Sequence, residues 1–125
     1  MIQIIEFDGR LTGSSGRKLL EVVGQSLGSG MTLILIDLEL TSFADSSGLA
    51  GLVRSYKLAR EAGAKIALCS PQIQVACLLE LTFMKKTFDI FDDRQDFYNN
   101  WVKQLPKNAP VLPLNDFQVL RLKAN

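Results

Sequence analysis

Residues 33–36 read Leu-Ile-Leu-Ile, and Asp37 and Leu38 follow them directly. A strand with one face in water alternates apolar and polar residues, whereas a strand covered on both faces is apolar throughout. The segment therefore predicts a central strand in a sheet that carries other elements on both of its faces.

Strand and helix patterns alternate on both sides of this segment. Predicted strands cover residues 1–7, 33–38, 64–69 and 88–91, and a segment with apolar residues at helical spacing follows each of them. The order βαβαβαβα requires crossover connections between strands. We therefore expect an α/β fold, a mostly parallel or mixed central sheet with helices packed on it.

Local signals predict where these elements begin and end. Asp8-Gly9 is a turn signal after the first strand, and Ser14 or Ser15 can cap the first helix. Residues 39–45 read as a loop. Ser70-Pro71 places a capping hydroxyl before a proline at the first helical position, which predicts the start of the third helix. That helix carries a set of apolar residues: Ile73, Ala76, Cys77, Leu79 and Leu81.

The composition changes near the C-terminus. Residues 1–104 form one predicted domain, and residues 105–125 form a C-terminal extension in which Pro106, Pro110 and Pro113 break any helix. Residues 117–123 resemble a short strand. The extension is either draped over the domain or paired with an edge of its sheet, and the sequence leaves both possibilities open.

Charge and hydropathy exclude several classes of function. A net charge of +1 provides no basic surplus for nucleic-acid phosphates, so we expect no nucleic-acid partner. No apolar run approaches the roughly 18 to 20 residues that cross a bilayer, and the N-terminus has no signal-peptide pattern. We therefore expect a cytoplasmic protein without membrane insertion. We also expect its two cysteines, Cys69 and Cys77, to be buried and reduced.

The chain contains no histidine, which removes the usual general base and the commonest metal ligand. There is no Gly-x-Ser-x-Gly pattern for a nucleophilic serine. Gly9, Gly13 and Gly16 lack the lysine spacing of a phosphate-binding loop and are expected to form a flexible turn. The sequence therefore predicts a protein that is not an enzyme and that holds no metal or cofactor of its own.

The segment from residue 37 to residue 49 leaves the most buried predicted strand and enters a helix, where open α/β sheets place functional loops. Asp45 can orient the Ser46 hydroxyl or cap the helix, and both roles stay open. Ser47 is predicted to be the structural cap. Gly48 is expected to permit the close approach of another backbone, and Leu49 is expected in the core.

These residues also carry a family resemblance. Asp45-Ser46-Ser47-Gly48-Leu49, after Phe43 and before the strand at residues 65–69, resembles the core motif of STAS domains, with the bacterial anti-sigma factor antagonists as the nearest branch. The resemblance extends from about Ile4 to about Trp101. It departs from the family in two ways. Members usually carry another strand before residues 2–7 and an acid in the turn that here reads Gly9-Arg10-Leu11-Thr12, and the Pro-containing tail from Leu105 lies outside the family pattern.

The resemblance implies a phosphorylation switch. The serine of the family that matches Ser46 is phosphorylated by a partner that is both anti-sigma factor and serine kinase, and a metal-dependent, PP2C-like phosphatase reverses the reaction. Only the unmodified form binds the partner and releases the sigma factor. ATP and metal then belong to these partners, and the chain itself is expected to be a monomer or weak homodimer.

One further expectation follows from the residues, and one follows from the resemblance. The exposed part of the second helix near Ser55 and Lys57 is a candidate contact surface, although a solvated face explains it equally well. The alternative function is a STAS-like module that is never phosphorylated and serves as a scaffold or binds a small ligand or lipid in a signalling or transport assembly.

Overall fold

The computed structural model describes residues 2–101 and 117–124 of the chain. Its strands are β1 (Ile2–Leu11), β2 (Leu33–Asp37), β3 (Thr41–Ala44), β4 (Lys65–Cys69), β5 (Asp89–Phe91) and β6 (Phe117–Lys123). Its helices are α1 (Gly13–Gly28), α2 (Ser46–Glu61), α3 (Ile73–Leu81) and α4 (Arg94–Trp101), with a 3₁₀ turn at Met84–Lys86. Within the described ranges, no helix is both long and apolar enough to span a bilayer.

The strands form one sheet in which β1 and β2 are central. β1 pairs with β2, β3 and β6, β2 pairs with β4, and β4 pairs with β5. Each of these pairings is parallel, as crossover connections through helices require. The predicted α/β fold with a mostly parallel central sheet and helices packed on it is confirmed.

Side chains of β2 pack into two hydrophobic cores, one on each face of the sheet. Ile34 and Ile36 belong to the larger core, with residues of α1, α2 and α3, whereas Leu35 belongs to a smaller core closed by Phe97 of α4. Successive side chains of a strand point to opposite faces. Both faces of β2 are therefore filled, which explains why none of residues 33–36 is polar.

The first strand extends further than predicted. Gly9 has a φ of +119°, and the pairing register shifts between Gly9 and Arg10, so β1 bulges at the predicted turn and continues to Leu11. The extra length pairs with β3, which lies inside the segment predicted as a loop. A glycine with positive φ suits a bulge as well as a turn, and the local sequence does not distinguish the two.

Two predicted helix starts are also wrong. Thr12 is the N-cap of α1, while the Ser15 hydroxyl accepts a hydrogen bond from the Thr12 N–H (2.8 Å) and donates one to the Arg10 carbonyl (2.6 Å). The helix α3 begins at Ile73 after the N-cap Gln72, not after Ser70. The N–H of Ser70 still bonds to the Phe91 carbonyl (3.0 Å), which holds it against the sheet.

The short helix α3 buries only one face. Val75 and Leu79 are fully buried, whereas Ile73 is 84% exposed and Leu81 is 76% exposed. Cys77 is exposed as well, so the prediction of two buried cysteines is wrong for Cys77. Cys69 is buried, and burial, with the nearby charge of Asp37, raises the pKa of its thiol to about 12.

The strand-like segment near the C-terminus pairs with a sheet edge. β6 runs beside β1 in parallel register, from Phe117 opposite Ile2 to Lys123 opposite Asp8. This is one of the two arrangements that the sequence left open. The predicted domain boundary at residues 104 and 105 and the three prolines of the extension lie outside the described residues.

A cluster of charges joins α4 and β6 to the sheet. Arg94 donates to the carboxylates of Glu6 and of Asp37, both at 2.7 Å, and Arg121 lies 3.5 Å from Glu6. Asp37 is only 3% exposed, so its charge needs this partner. Partial burial works against the charge of Arg94, but the hydrogen bonds and charges of Asp37 and Glu6 raise its pKa.

We predict that Arg94→Met lowers the free energy of unfolding by about 2 kcal/mol, because it leaves the buried Asp37 carboxylate without its cation. Arg121→Met is the matched control, since Arg121 is half exposed and its ion pair is longer; its cost should stay below about 1 kcal/mol. Urea unfolding curves measure both values. Equal losses in the two variants would contradict the assigned role of Arg94.

Candidate functional site

The segment singled out in the sequence lies where β3 ends and α2 begins. β3 pairs with the last residues of β1, with Ala44 opposite Leu11. Asp45 follows as the N-cap of α2, and Ser46 is the first helical residue. The segment thus sits at the carboxyl end of a parallel sheet, as predicted from the order of the elements.

Asp45 caps the helix. Its Oδ1 atom accepts a hydrogen bond from the Gly48 N–H (2.8 Å), and its carbonyl accepts the first helical bond, from the Leu49 N–H (3.0 Å). Its own N–H donates to the Leu11 carbonyl (3.2 Å). Of the two roles left open for Asp45, the structure supports capping, and the prediction that Ser47 is the cap is wrong.

Ser46 and Ser47 are both exposed on the first turn of α2. Among the described residues, neither hydroxyl makes a hydrogen bond. Because the Asp45 carboxylate already satisfies the helix start, both hydroxyls stay available to a reagent or a partner. The structure therefore brings two free nucleophilic oxygens to one exposed helix terminus.

The glycines of this region permit close packing. A Cβ atom on Gly48 would lie 2.1 Å from the Leu11 carbonyl oxygen, and one on Gly51 would lie 2.6 Å from the Gly16 carbonyl oxygen. The prediction that Gly48 allows the approach of another backbone is confirmed. Gly16 lies within α1, and Gly13 is its first residue, so the predicted flexible turn is wrong for both.

This packing brings two helix N-termini together. A Cβ atom built on Gly13, the first residue of α1, would lie 3.5 Å from the Ser47 Cβ. Each helix N-terminus carries a partial positive charge and unpaired N–H groups. The surface around Ser46 and Ser47 is therefore one on which the fold tolerates added negative charge.

Two residues that sequence reasoning did not assign to the site flank it. The guanidinium of Arg10 lies over the Phe43 ring at 4.3 Å from its centroid, so β1 and β3 present a cation–π pair beside the start of α2. The sequence signals were Phe43 within the family resemblance and Arg10 in the turn where the chain departs from the family. The contact depends on the bulge at Gly9, which no local pattern revealed.

Hydrogen bonds from Gln74 join α3 to the end of β3, directly before Asp45. The Gln74 side chain accepts a hydrogen bond from the Ala44 N–H and donates one to the Ala44 carbonyl, both at 2.9 Å. Gln72 adds a bond from its Nε2 to the Glu39 carbonyl (2.5 Å). The Gln74 amide holds the residue before Asp45 in place, and nothing in the spacing of the sequence identified either glutamine.

The remaining predicted site residues divide between core and surface. Leu49 is buried, as predicted, and Lys57 is exposed. Ser55 is fully buried, and its hydroxyl donates to the Gly51 carbonyl (2.8 Å), so its predicted place on a contact surface is wrong. Within the described ranges, no group of three acidic or cysteine side chains is arranged to hold a metal ion.

With this geometry established, comparison with known proteins gives the family. The sequence model of the STAS domain matches residues 2–97. The chain belongs to the STAS domain family. A comparison with curated protein sequences found no match.

Solved structures of the same fold include two kinds of protein. A candidate anti-sigma factor antagonist from Thermotoga maritima is 24% identical, with a TM-score of 0.67 over 74% of this chain and 80% of that one. Unphosphorylated SpoIIAA of Bacillus is 16% identical, with a TM-score of 0.60 over 81% and 89%. A sulfate transporter family protein from Wolinella succinogenes is 14% identical, with a TM-score of 0.66 over 76% and 80%. At these identities the likeness establishes the fold.

We predict that Gly48→Ala destabilises the protein by about 3 kcal/mol, because the added methyl group meets a backbone carbonyl that cannot rotate away. Gly28→Ala is the matched control. It also lies in a helix, but nothing stands within 4 Å of its Cβ position, and the better helix propensity of alanine should stabilise it slightly. Thermal and urea unfolding of both variants provide the comparison, and a neutral Gly48→Ala would refute the packing argument.

Proposed function

We propose that the chain is an anti-sigma factor antagonist that is switched by phosphorylation of Ser46. In the unmodified state it binds an anti-sigma factor that is also a serine kinase, and this binding releases a sigma factor. The observation that carries the proposal is the division of roles at the start of α2. Asp45 supplies the cap, and the Ser46 hydroxyl is exposed and unused.

The fold is expected to survive the modification. A phosphoryl group adds about −1.5 to −2 charge, and at Ser46 that charge falls on the positive ends of α1 and α2. The Asp45–Gly48 hydrogen bond does not involve the modified oxygen. Phosphorylation therefore changes the surface and leaves the helix start intact.

Binding is lost for an electrostatic reason. The phosphate stands next to the Asp45 carboxylate, so an acidic patch forms where the neutral Ser46 hydroxyl stood. A partner that covers this surface must then bury an anion without a matching cation, which is costly. SpoIIAA, which shares the fold, has been solved in unphosphorylated and phosphorylated forms, which supports a switch of this kind here.

The chemistry belongs to the partners. The kinase brings ATP, a metal-dependent phosphatase of the PP2C type removes the phosphate, and the antagonist acts as a binding protein with no cofactor of its own. STAS domains are binding and regulatory domains. We place the interaction in the cytoplasm.

A second candidate function has its own support. STAS domains also occur in sulfate transporters, and two such domains share this fold. In that setting the chain would be a scaffold or a small-ligand module that is never phosphorylated. An open groove of about 470 Å³ between α3 and β5, bordered by Pro71, Leu79 and Phe91, is where a small ligand would bind.

Phosphorylation with matched serine variants tests the switch. The protein is incubated with ATP and the serine kinase of anti-sigma type encoded in the same genome, and the modified residue is located by mass spectrometry. We expect one phosphate on Ser46 of the wild type, none on Ser46→Ala, and unchanged modification of Ser47→Ala, which removes the other exposed serine of this turn.

A second experiment measures how tightly the Ser46→Asp variant binds the same kinase. An unpaired charge buried at an interface costs about 2–5 kcal/mol, so titration calorimetry should show binding weaker by roughly 30-fold or more. Circular dichroism should show the fold of the variant unchanged. If Ser46 stays unmodified and Ser46→Asp binds as tightly as the wild type, the switch is excluded and the second function is favoured.

A further inference from the structure

The basic residues of the chain are unevenly distributed. The helices α1 and α2 carry five basic residues and two acidic ones, although the whole chain has a net charge of only +1. Acidic residues collect instead around β5 and α4, at Asp89, Asp92, Asp93 and Asp96. The two helices therefore carry a local positive charge that the net charge of the chain conceals.

Two basic residues of α2 lie on the same exposed side as Ser46. Ser46, Ala50, Arg54 and Lys57 are all exposed and follow one another at intervals of four, four and three residues. Residues at such intervals lie on one side of a helix. At a rise of 1.5 Å per residue, Arg54 and Lys57 stand about 12 Å and 16 Å along the helix from the candidate site.

A basic residue of α1 borders the same surface. A Cβ atom built on Gly16 would lie 3.5 Å from the Gly51 Cα. One built on Gly24 would lie 3.6 Å from the Leu58 side chain, so the two helices run side by side in the same direction. Arg17 follows Gly16 directly and is exposed, which places it beside the first two turns of α2.

Arg17, Arg54 and Lys57 together form what we call the basic face. Within the described ranges none of the three forms an ion pair, whereas the arginines of α4 and β6 are paired with carboxylates. The two acids of these helices are Glu21, one turn beyond Arg17, and Glu61, the last residue of α2. The positive charge nearest the candidate site is therefore not neutralised by an ion pair within the described chain.

We propose that the basic face docks an acidic surface of the anti-sigma factor kinase. This inference rests on the proposed function, because a kinase that reaches the Ser46 hydroxyl must cover the start of α2. A standard interface buries roughly 800 Å² on each partner, a patch about 30 Å across, so a footprint that includes Ser46 extends to Arg54 and Lys57. Opposite charges on the two surfaces then speed association and fix the orientation of the kinase.

The basic face also defines how the phosphate acts on the partner. A phosphoryl group on Ser46 adds about −1.5 to −2 charge at one end of a surface with three basic side chains. It repels the same acidic surface that the basic face attracts. Phosphorylation therefore opposes docking by charge repulsion as well as by the cost of burying an anion.

Charge reversal at the far end of the face tests the proposal and leaves both serines intact. We expect Arg54→Glu/Lys57→Glu to bind the kinase about tenfold more weakly than the wild type in titration calorimetry, and kcat/KM for phosphorylation of Ser46 to fall by a similar factor. The matched control is Lys85→Glu/Lys86→Glu, which makes the same change in net charge at two exposed lysines outside the basic face. Its binding should change by less than about twofold.

Further measurements separate charge from packing and folding. Arg54→Lys/Lys57→Arg conserves the charge and should bind as tightly as the wild type. Raising the salt concentration from about 0.05 M to about 0.5 M should weaken wild-type binding by about tenfold and binding of Arg54→Glu/Lys57→Glu much less. Circular dichroism checks that each variant is folded, which is expected because glutamate, lysine and arginine all suit a helix.

Three results would overturn the proposal, and they differ in what they leave standing. If the kinase phosphorylates Ser46 and binds Arg54→Glu/Lys57→Glu as tightly as the wild type, the basic face has no part in docking and the proposed function remains. If the kinase neither binds nor phosphorylates the wild type, both proposals fail. If Arg54→Glu/Lys57→Glu keeps kinase binding but loses binding to duplex DNA that the wild type shows, the basic face serves a nucleic acid instead.

Discussion

The close contact between the first turn of α2 and the end of β1 determines the position of the candidate site. With no side chain on Gly48, the Leu11 carbonyl comes so near that a methyl group there would meet its oxygen at 2.1 Å. A second close backbone contact, between Gly16 of α1 and Gly51 of α2, joins the two helices. Because backbone meets backbone, the start of α2 cannot shift relative to the sheet, and Ser46 is held at a fixed place on the surface.

At the start of α2, the residues that hold the backbone in place are different from the residues whose side chains can react. Asp45 and the Gln74 amide bond only to the backbone, and their bonds define the turn from β3 into α2. The hydroxyls of Ser46 and Ser47 take no part in it. A reaction on Ser46 can therefore change what a partner meets without changing the fold, which is what a reversible switch on a small domain requires.

The sequence predicted the parts of the fold that depend on side-chain type in a continuous segment. The all-apolar run at residues 33–36 predicted a strand between two cores, and the Asp45–Leu49 motif predicted that Ser46 lies at the start of a helix. Features that depend on distant partners were missed. The bulge at Gly9 looked like a turn because its partner strand β3 is unremarkable in sequence. Cys77 was assigned to the core because residue type alone does not show which face of α3 has a neighbour.

The parallel pairing of β6 with β1 has a consequence for how the chain is made. Of the strands of this sheet β1 is synthesised first and β6 last, so Ile2 is made long before its partner Phe117. Until then one edge of β1 is open, and its backbone groups are free to pair with any extended chain nearby. Contacts of such high sequence separation form slowly. The nascent domain is thus most prone to aggregation in the interval before β6 is complete, and a chaperone that covers this edge would act at that stage.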